Sequence, residues 1–242
     1  MTGRDALVLW DIDHTLLAIE GAGPQLYAAA FRDVTGRELE RMPPMGGRTD
    51  HHLITSVLTM HGIEPTAQLF HDFCTAMVAA VRTRLDDMRA VGRAMPGAEA
   101  ALDALAGVPG LVQSLVTGNL RPIAEMKLAL FGLDRHVDTE VGGYGSDDGN
   151  RAVLVRRALE RAGAKYGHDV LPERTVVVGD TIHDIAGARD NAVAAVGIAW
   201  TDAAADALAA AGADAVLRSL TDTRVVVATV LGLLGAGSPS ER

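Results

Sequence analysis

Leu7-Val8-Leu9-Trp10-Asp11-Ile12-Asp13-His14-Thr15-Leu16-Leu17 is the stretch whose reading decides the fold. An apolar run of strand character ends in two carboxylates, a histidine and a threonine, and then turns apolar again. An uninterrupted apolar run of this length fits a central parallel strand buried on both faces. Acidic side chains do not belong in such a strand unless something pairs with them. In open α/β sheets the chemistry gathers at the carboxyl ends of the strands, which is where Asp11 and Asp13 fall.

Outward from this strand the chain divides by pattern. From Pro24 to about Arg93 no strong strand signal occurs, and helical periodicity runs through Leu26–Val34, His51–Met60 and Leu69–Leu85. Gly36, Pro43-Pro44, Gly46-Gly47 and Gly62 punctuate these pieces. After the turn Met95-Pro96-Gly97, strand and helix alternate. Strands are expected at Leu111–Val116, Val137–Val141, Thr175–Val178, Ala192–Ala199 and Ala215–Leu217, with helices at 98–106, 122–131, 151–163, 182–190, 203–211 and 221–233. Such alternation implies right-handed βαβ units and a doubly wound, Rossmann-like parallel sheet. The small, polar tail Gly235–Arg242 is expected to fray.

Composition narrows the class. The 242 residues are 48% hydrophobic and 22% charged, ordinary for a globular chain. A formal net charge of −9 argues against nucleic-acid binding, which calls for a basic patch. No apolar run approaches the ~20 residues of a membrane span, and the first residues carry no signal-peptide pattern. The one cysteine, Cys74, excludes an intramolecular disulfide and fits a reducing, cytoplasmic setting. Its place in a helical stretch suits a small buried hydrophobe better than a catalytic thiol.

Two other strands end in groups able to join Asp11 and Asp13. Leu111–Val116 leads into Thr117-Gly118-Asn119, where a hydroxyl and free N–H groups at a helix start suit an anion, or form an ordinary turn and N-cap. Thr175–Val178 leads into Gly179-Asp180-Thr181-Ile182-His183-Asp184. Asp180 and Asp184 share a helix face if the helix begins by Thr181, and one of them suits a capping role. Carboxylates crowded at neighbouring strand ends repel, and a hard divalent cation such as Mg²⁺ is the common remedy. A cation is also wanted near a phosphate. Arg151, just past a predicted strand end, is better placed for this than Lys127, which is inside a helix. His51 and His52 are adjacent on a helix and point apart, which argues against a zinc site.

Asp11-Ile12-Asp13-His14-Thr15, Thr117-Gly118-Asn119, a basic residue and Gly179-Asp180-Thr181-Ile182-His183-Asp184 together resemble, in order and spacing, the four motifs of haloacid dehalogenase-like hydrolases. The resemblance covers nearly the whole chain and is closest to the phosphoglycolate phosphatase-like branch, whose members carry a helical cap after the first motif. It implies an α/β core over residues 1–19 and 95–235, a helical cap over 20–94 and a flexible tail at 236–242. It further implies a Mg²⁺-dependent phosphatase, a monomer or homodimer acting on a small phosphorylated metabolite. Asp11 would be the nucleophile, Asp13 the acid and base, and Thr117 a phosphoryl ligand with backbone groups around Gly118 and Asn119. Arg151 would neutralise the phosphoryl group. Mg²⁺ would be held by the Asp11 carboxylate, the Asp13 main-chain carbonyl, Asp180 and Asp184.

The chain departs from the pattern twice. Its third motif reads Asn150-Arg151-Ala152 where many relatives have Lys-Pro, which keeps Lys127 as the alternative basic residue. His14 stands where a glycine is common; with its N–H facing the phosphate, its side chain would point elsewhere. In the cap, Arg48 of Gly46-Gly47-Arg48-Thr49-Asp50 is the candidate substrate-facing residue, against the plainer reading of a turn with Thr49 as N-cap. A haloacid dehalogenase has no need of Asp13. A phosphomutase uses both aspartates and a similar cap and stays open, while a non-catalytic binding protein has no use for all six of Asp11, Asp13, Thr117, Arg151, Asp180 and Asp184.

Overall fold

The computed structural model describes residues 5–235. The expected tail at 236–242 and the first four residues lie outside the described residues. Eight strands and ten α-helices follow in order: β1 (Ala6–Trp10), β2 (Leu17–Ile19), α1 (Ala22–Thr35), α2 (Asp50–Met60), α3 (Ala67–Arg82), α4 (Leu85–Val91), β3 (Gly92–Ala94), α5 (Ala98–Ala106), β4 (Leu111–Thr117), α6 (Arg121–Leu130), β5 (Gly143–Tyr144), α7 (Arg151–Tyr166), β6 (Thr175–Gly179), α8 (Ile182–Arg189), β7 (Ala194–Ile198), α9 (Asp202–Ala210), β8 (Ala215–Leu217) and α10 (Thr223–Gly235). Six strands form one sheet in the order β5-β4-β1-β6-β7-β8, and every pairing in it is parallel. The fold is therefore the doubly wound α/β architecture.

β1 lies at the centre because all five of its residues are buried. Successive side chains of a strand face opposite ways. Val8 and Trp10 pack on one layer with Ala101 and Leu102 of α5 and Val226 and Val230 of α10. Leu7 and Leu9 pack on the other with Leu154 and Ala158 of α7 and Ile185 of α8. The buried Trp10 indole keeps its polar atom satisfied by donating to Gln113 Oε1 at 3.2 Å, and the Gln113 amide donates to Leu102 O at 2.8 Å.

Two features differ from the sequence pattern. β2 and β3 pair antiparallel, Leu17 opposite Ala94, and form the two-stranded stem on which the chain leaves and re-enters the core. Each is three residues long, too short for periodicity to register. The strand expected at Val137–Val141 is instead a 3-10 turn at Thr139–Val141 followed by the two-residue β5. Asp138 causes this: its carboxylate accepts from Glu140 N, Lys165 Nζ and Tyr166 OH. Such local side-chain bonds compete with a strand ladder.

The helices α1–α4 bury their own apolar faces together, Phe31, Ile54, Leu58 and Phe73 among them, and this layer reaches Leu120 and Ile123 of the core. Thr49 caps α2 by accepting from His52 N. The first turn of α2 then docks on the core: Asp50 N donates to Gly118 O at 2.7 Å and His51 N to Gly145 O at 3.0 Å. The buried Asp50 carboxylate accepts from Tyr27 OH at 2.6 Å and from Leu120 N at 2.8 Å. Gly118 permits the approach, since a Cβ there would stand 2.5 Å from Arg48 O. Asp50→Ala orphans two buried donors and is expected to lower unfolding free energy by about 3 kcal/mol, against about 1 kcal/mol for Tyr27→Phe. Urea denaturation midpoints would check both.

Candidate active site

Three strand ends converge where the parallel sheet opens at its carboxyl edge. After β1 the main chain stays paired for one residue more, Asp11 N donating to Val178 O at 2.8 Å. It then winds into a tight turn in which Ile12 O accepts from Thr15, Leu16 and Leu17 N–H groups. His14 sits in this turn at φ 63, the left-handed region that favours glycine. Its N–H is taken by Leu17 O at 2.7 Å. The His14 carbonyl accepts from Trp200 Nε1 at 2.8 Å, and the exposed imidazole lines the cavity described below.

β6 delivers Asp180, and Thr181 begins α8. Thr181 donates its N–H and hydroxyl to Asp184 Oδ2 at 3.1 and 2.7 Å. Asp184 is thus a helix-capping residue and a site residue together. A Cβ at Gly179 would fall 2.4 Å from the Asp184 carboxyl carbon, so glycine is what lets that carboxylate lie against the strand end.

Asp11, Asp180 and Asp184 come together, with one carboxylate oxygen from each lying within 4.8 Å of the others. Buried Oδ1 atoms of Asp180 and Asp184 have no hydrogen-bond partner. Burial first, and then the Asp184 charge, raise the Asp11 carboxyl well above the carboxylate range, with Arg151 opposing. The same two causes push Asp180 up to about 7. The cluster therefore needs positive charge beyond what the protein provides. Orphaned hard oxygens in a crowded, buried acidic group fit a divalent cation. Asp13 belongs elsewhere: its carboxylate turns away from the cluster toward Lys127.

The two candidate basic residues occupy different positions. Arg151 is buried between the acids, Nη1 3.5 Å from Asp11 Oδ1 and Nε 3.3 Å from Asp184 Oδ1. It also donates to Val116 O. Lys127, on α6, the helix before, holds both oxygens of Asp13 at 2.8 Å and Asn119 Oδ1 at 2.7 Å. Asn119 donates to Asp13 Oδ2 and Thr117 Oγ1, each at 2.8 Å. The ammonium and amide hold the Asp13 carboxyl below its ordinary value although burial works against them. The sequence offered Arg151 and Lys127 for one place; the structure gives each a carboxylate of its own.

Thr117, fully buried at the end of β4, accepts from Asn119 in this network, and Gly118 lies between them. Arg48 lines the same cavity, exposed, with its guanidinium against the His52 ring. His51 stacks on Phe70 with ring centroids 4.7 Å apart. Cys74 is half-buried in α3, its thiol pushed by burial up to about 12, which makes it inert. The sequence reading missed Tyr27 and Asp50, and the side chain of Asn119. Asp50 carried a signal, an acid in the first turn of a helix, but that signal is common to ordinary helix starts.

The comparisons agree with this geometry. The model of the haloacid dehalogenase-like hydrolase family matches residues 8–189, so the chain belongs to that family and to the hydrolases. Among solved structures, a hydrolase from Pseudomonas syringae superposes with TM-score 0.61 at 20% identity, covering 93% of this chain and 98% of that one. A predicted phosphatase from Clostridium acetobutylicum gives TM-score 0.65 at 17% identity, covering 92% and 98%. A protein assigned as a beta-phosphoglucomutase, from Thermotoga maritima, gives 0.58 at 17% identity, covering 93% and 99%. These likenesses concern the fold. A stretch of 97 residues, 40% of this chain, is 34% identical to the tyrosine-protein kinase PtkA of Mycobacterium tuberculosis, spanning 32% of that protein.

Arg151 is the one protein cation inside the cluster among the described residues. Arg151→Met is expected to lower unfolding free energy by roughly 3 kcal/mol, the scale for leaving buried charges unpaired. Adding Asp184→Asn is expected to recover part of that loss. Urea unfolding of the single and double variants at pH 8 would measure it.

Proposed function

We propose that the protein is a Mg²⁺-dependent phosphomonoesterase acting on a small phosphorylated metabolite. The observation that carries this reading is the separation of the two aspartates of the first turn. Asp11 faces the acidic cluster and Arg151. Asp13, two residues on, faces the cavity through a Lys127–Asn119 clamp. One carboxylate is thus set to attack phosphorus and the other to handle the proton of the alcohol, the division that two-step phosphoryl transfer requires.

In the first step an Asp11 oxygen attacks phosphorus in line with the ester oxygen, giving an aspartyl-phosphate, and Asp13, which takes up a proton from solvent as the anionic substrate enters beside it, gives that proton to the departing alkoxide. In the second step Asp13, now a carboxylate, takes a proton from water as the water attacks phosphorus, and Asp11 is released with inorganic phosphate. Arg151 holds Asp11 in place and sets positive charge beside the phosphoryl oxygens. The Thr117 hydroxyl, which accepts from Asn119, has its own proton to give to a phosphoryl oxygen. Lys127 and Asn119 fix the Asp13 carboxyl toward the cavity. Positioning and charge stabilisation of this kind are most of what phosphoryl transfer demands.

Asp11, Asp180 and Asp184 would hold Mg²⁺, with the Asp13 main-chain carbonyl. When bound, the ion screens the negative nucleophile from its negative substrate and polarises the phosphoryl group. A phosphomutase would use the same two aspartates; assaying released phosphate against isomerised product separates the readings.

With Mg²⁺, 4-nitrophenyl phosphate is expected to be hydrolysed, Asp11→Asn is expected to abolish this, and Asp13→Asn to slow it by roughly 10²- to 10⁴-fold. Full activity in Asp11→Asn would dismiss the nucleophile. Metal affinity gives a second check. A proton on Asp180, whose carboxyl is raised to about 7, competes with the cation. Mg²⁺ is therefore expected to bind more weakly as pH falls from 8 to 6, read as a shrinking rise in melting temperature.

A further inference from the structure

The cavity that begins at Asp11 and Arg151 does not end there. It has a volume of about 410 Å³, within the range of roughly 300–1,000 Å³ typical of small-molecule pockets. Beyond the phosphoryl site it runs under the helical layer, where Ile19, Leu26, Met45, Leu53, Met77 and Met88 line it. Three of these are methionines, whose flexible thioethers adapt to irregular apolar shapes.

Several polar groups on this side are already engaged. Tyr27 and Asp50 are bonded to each other, and the second Asp50 oxygen is taken by Leu120 N. Lys127 is fully occupied by Asp13 and Asn119. Arg48 is exposed and turned onto His52. Glu20, also exposed, adds a negative charge to the lining.

A sugar pressed against these six apolar side chains would turn hydroxyls to a wall without partners, which costs free energy for each group left unpaired. A second anionic group, such as a carboxylate, would meet Glu20, and against the apolar wall it would have only the exposed Arg48, turned onto His52, to answer its charge. An apolar group loses nothing there and gains by leaving water.

Building on the phosphomonoesterase reading, we infer that the alcohol released by this enzyme is apolar, an aryl or alkyl group seated against Met45, Leu53 and Met77. Met45 is the residue to test, because it is only half-buried and packs over Gly23 at the cavity wall, where a Cβ on Gly23 would stand 2.7 Å from its terminal methyl.

The experiment compares kcat/KM of the Mg²⁺-loaded protein for 1-naphthyl phosphate and hexyl phosphate with that for glucose 6-phosphate and phosphoglycolate. The apolar esters are expected to be favoured at least tenfold, chiefly through KM, and Met45→Lys is expected to compress that ratio severalfold. Phosphate release that is equal or faster with glucose 6-phosphate or phosphoglycolate would overturn the apolar assignment and leave the phosphatase reading intact. An unchanged ratio in Met45→Lys would overturn it too. If no ester is hydrolysed, the phosphatase reading falls, and isothermal titration of Asp11→Asn decides the pocket on its own. Tighter binding of 1-naphthyl phosphate than of glucose 6-phosphate is expected, and equal binding would overturn the inference.

Discussion

Three carboxylates, Asp11, Asp180 and Asp184, are drawn within 4.8 Å of one another at the edge of a buried sheet, with one guanidinium among them. At that separation each like-charged pair repels by roughly 3 to 4 kcal/mol at an effective dielectric constant near 20. The sheet enforces the crowding, since Asp11 follows the central β1 and Asp180 follows its neighbour β6 in parallel register. Neither aspartate can retreat without unpairing a buried strand. The capping bonds from Thr181 fix Asp184 in the same way. The excess negative charge is therefore built into the backbone, and protons or a cation must answer it. In a phosphatase that demand becomes useful, because the cation that quiets the acids also accepts the charge of the incoming phosphoryl group.

Asp13 would add a fourth carboxylate to this crowd if it turned the other way. Lys127 and Asn119 keep it out by holding it on the cavity side. The acidic cluster and Asp13 thus have separate cations, Arg151 and Lys127. The arrangement accounts for the length of the helix start after β4: Asn119 lies before α6 and Lys127 two turns into it, so the two side chains converge on one point.

The doubly wound parallel sheet was legible because buried parallel strands are nearly unbroken apolar runs, and acids at their ends have few structural excuses. That argument singled out Asp11 and Asp180, which the structure brings together with Asp184. The placement of Lys127 was not legible, since a lysine inside a helix reads as a solvated side chain until the fold shows what its stem reaches. The β2–β3 stem escaped because three residues carry no periodicity. Val137–Val141 misled because its apolar ends suggest a strand, while Asp138 between them gathers enough side-chain bonds to make a turn. Tyr27 and Asp50 were illegible for another reason: their meaning lies in a contact between segments 23 residues apart in the cap and a third in the core.

That contact ties recognition to chemistry. Gly118 O receives the first N–H of the α2 turn, and Leu120 N is held by Asp50. Between and beside these two anchor points stand Asn119, which bonds Asp13, and Thr117, which accepts from Asn119. The helical layer cannot shift on the core without pulling on the loop that sets Asp13. Whatever occupies the apolar side of the cavity presses on Leu53 and Met77 of that same layer. An occupant of that side is therefore connected to the Asp13 carboxyl group through a path of hydrogen bonds only a few residues long.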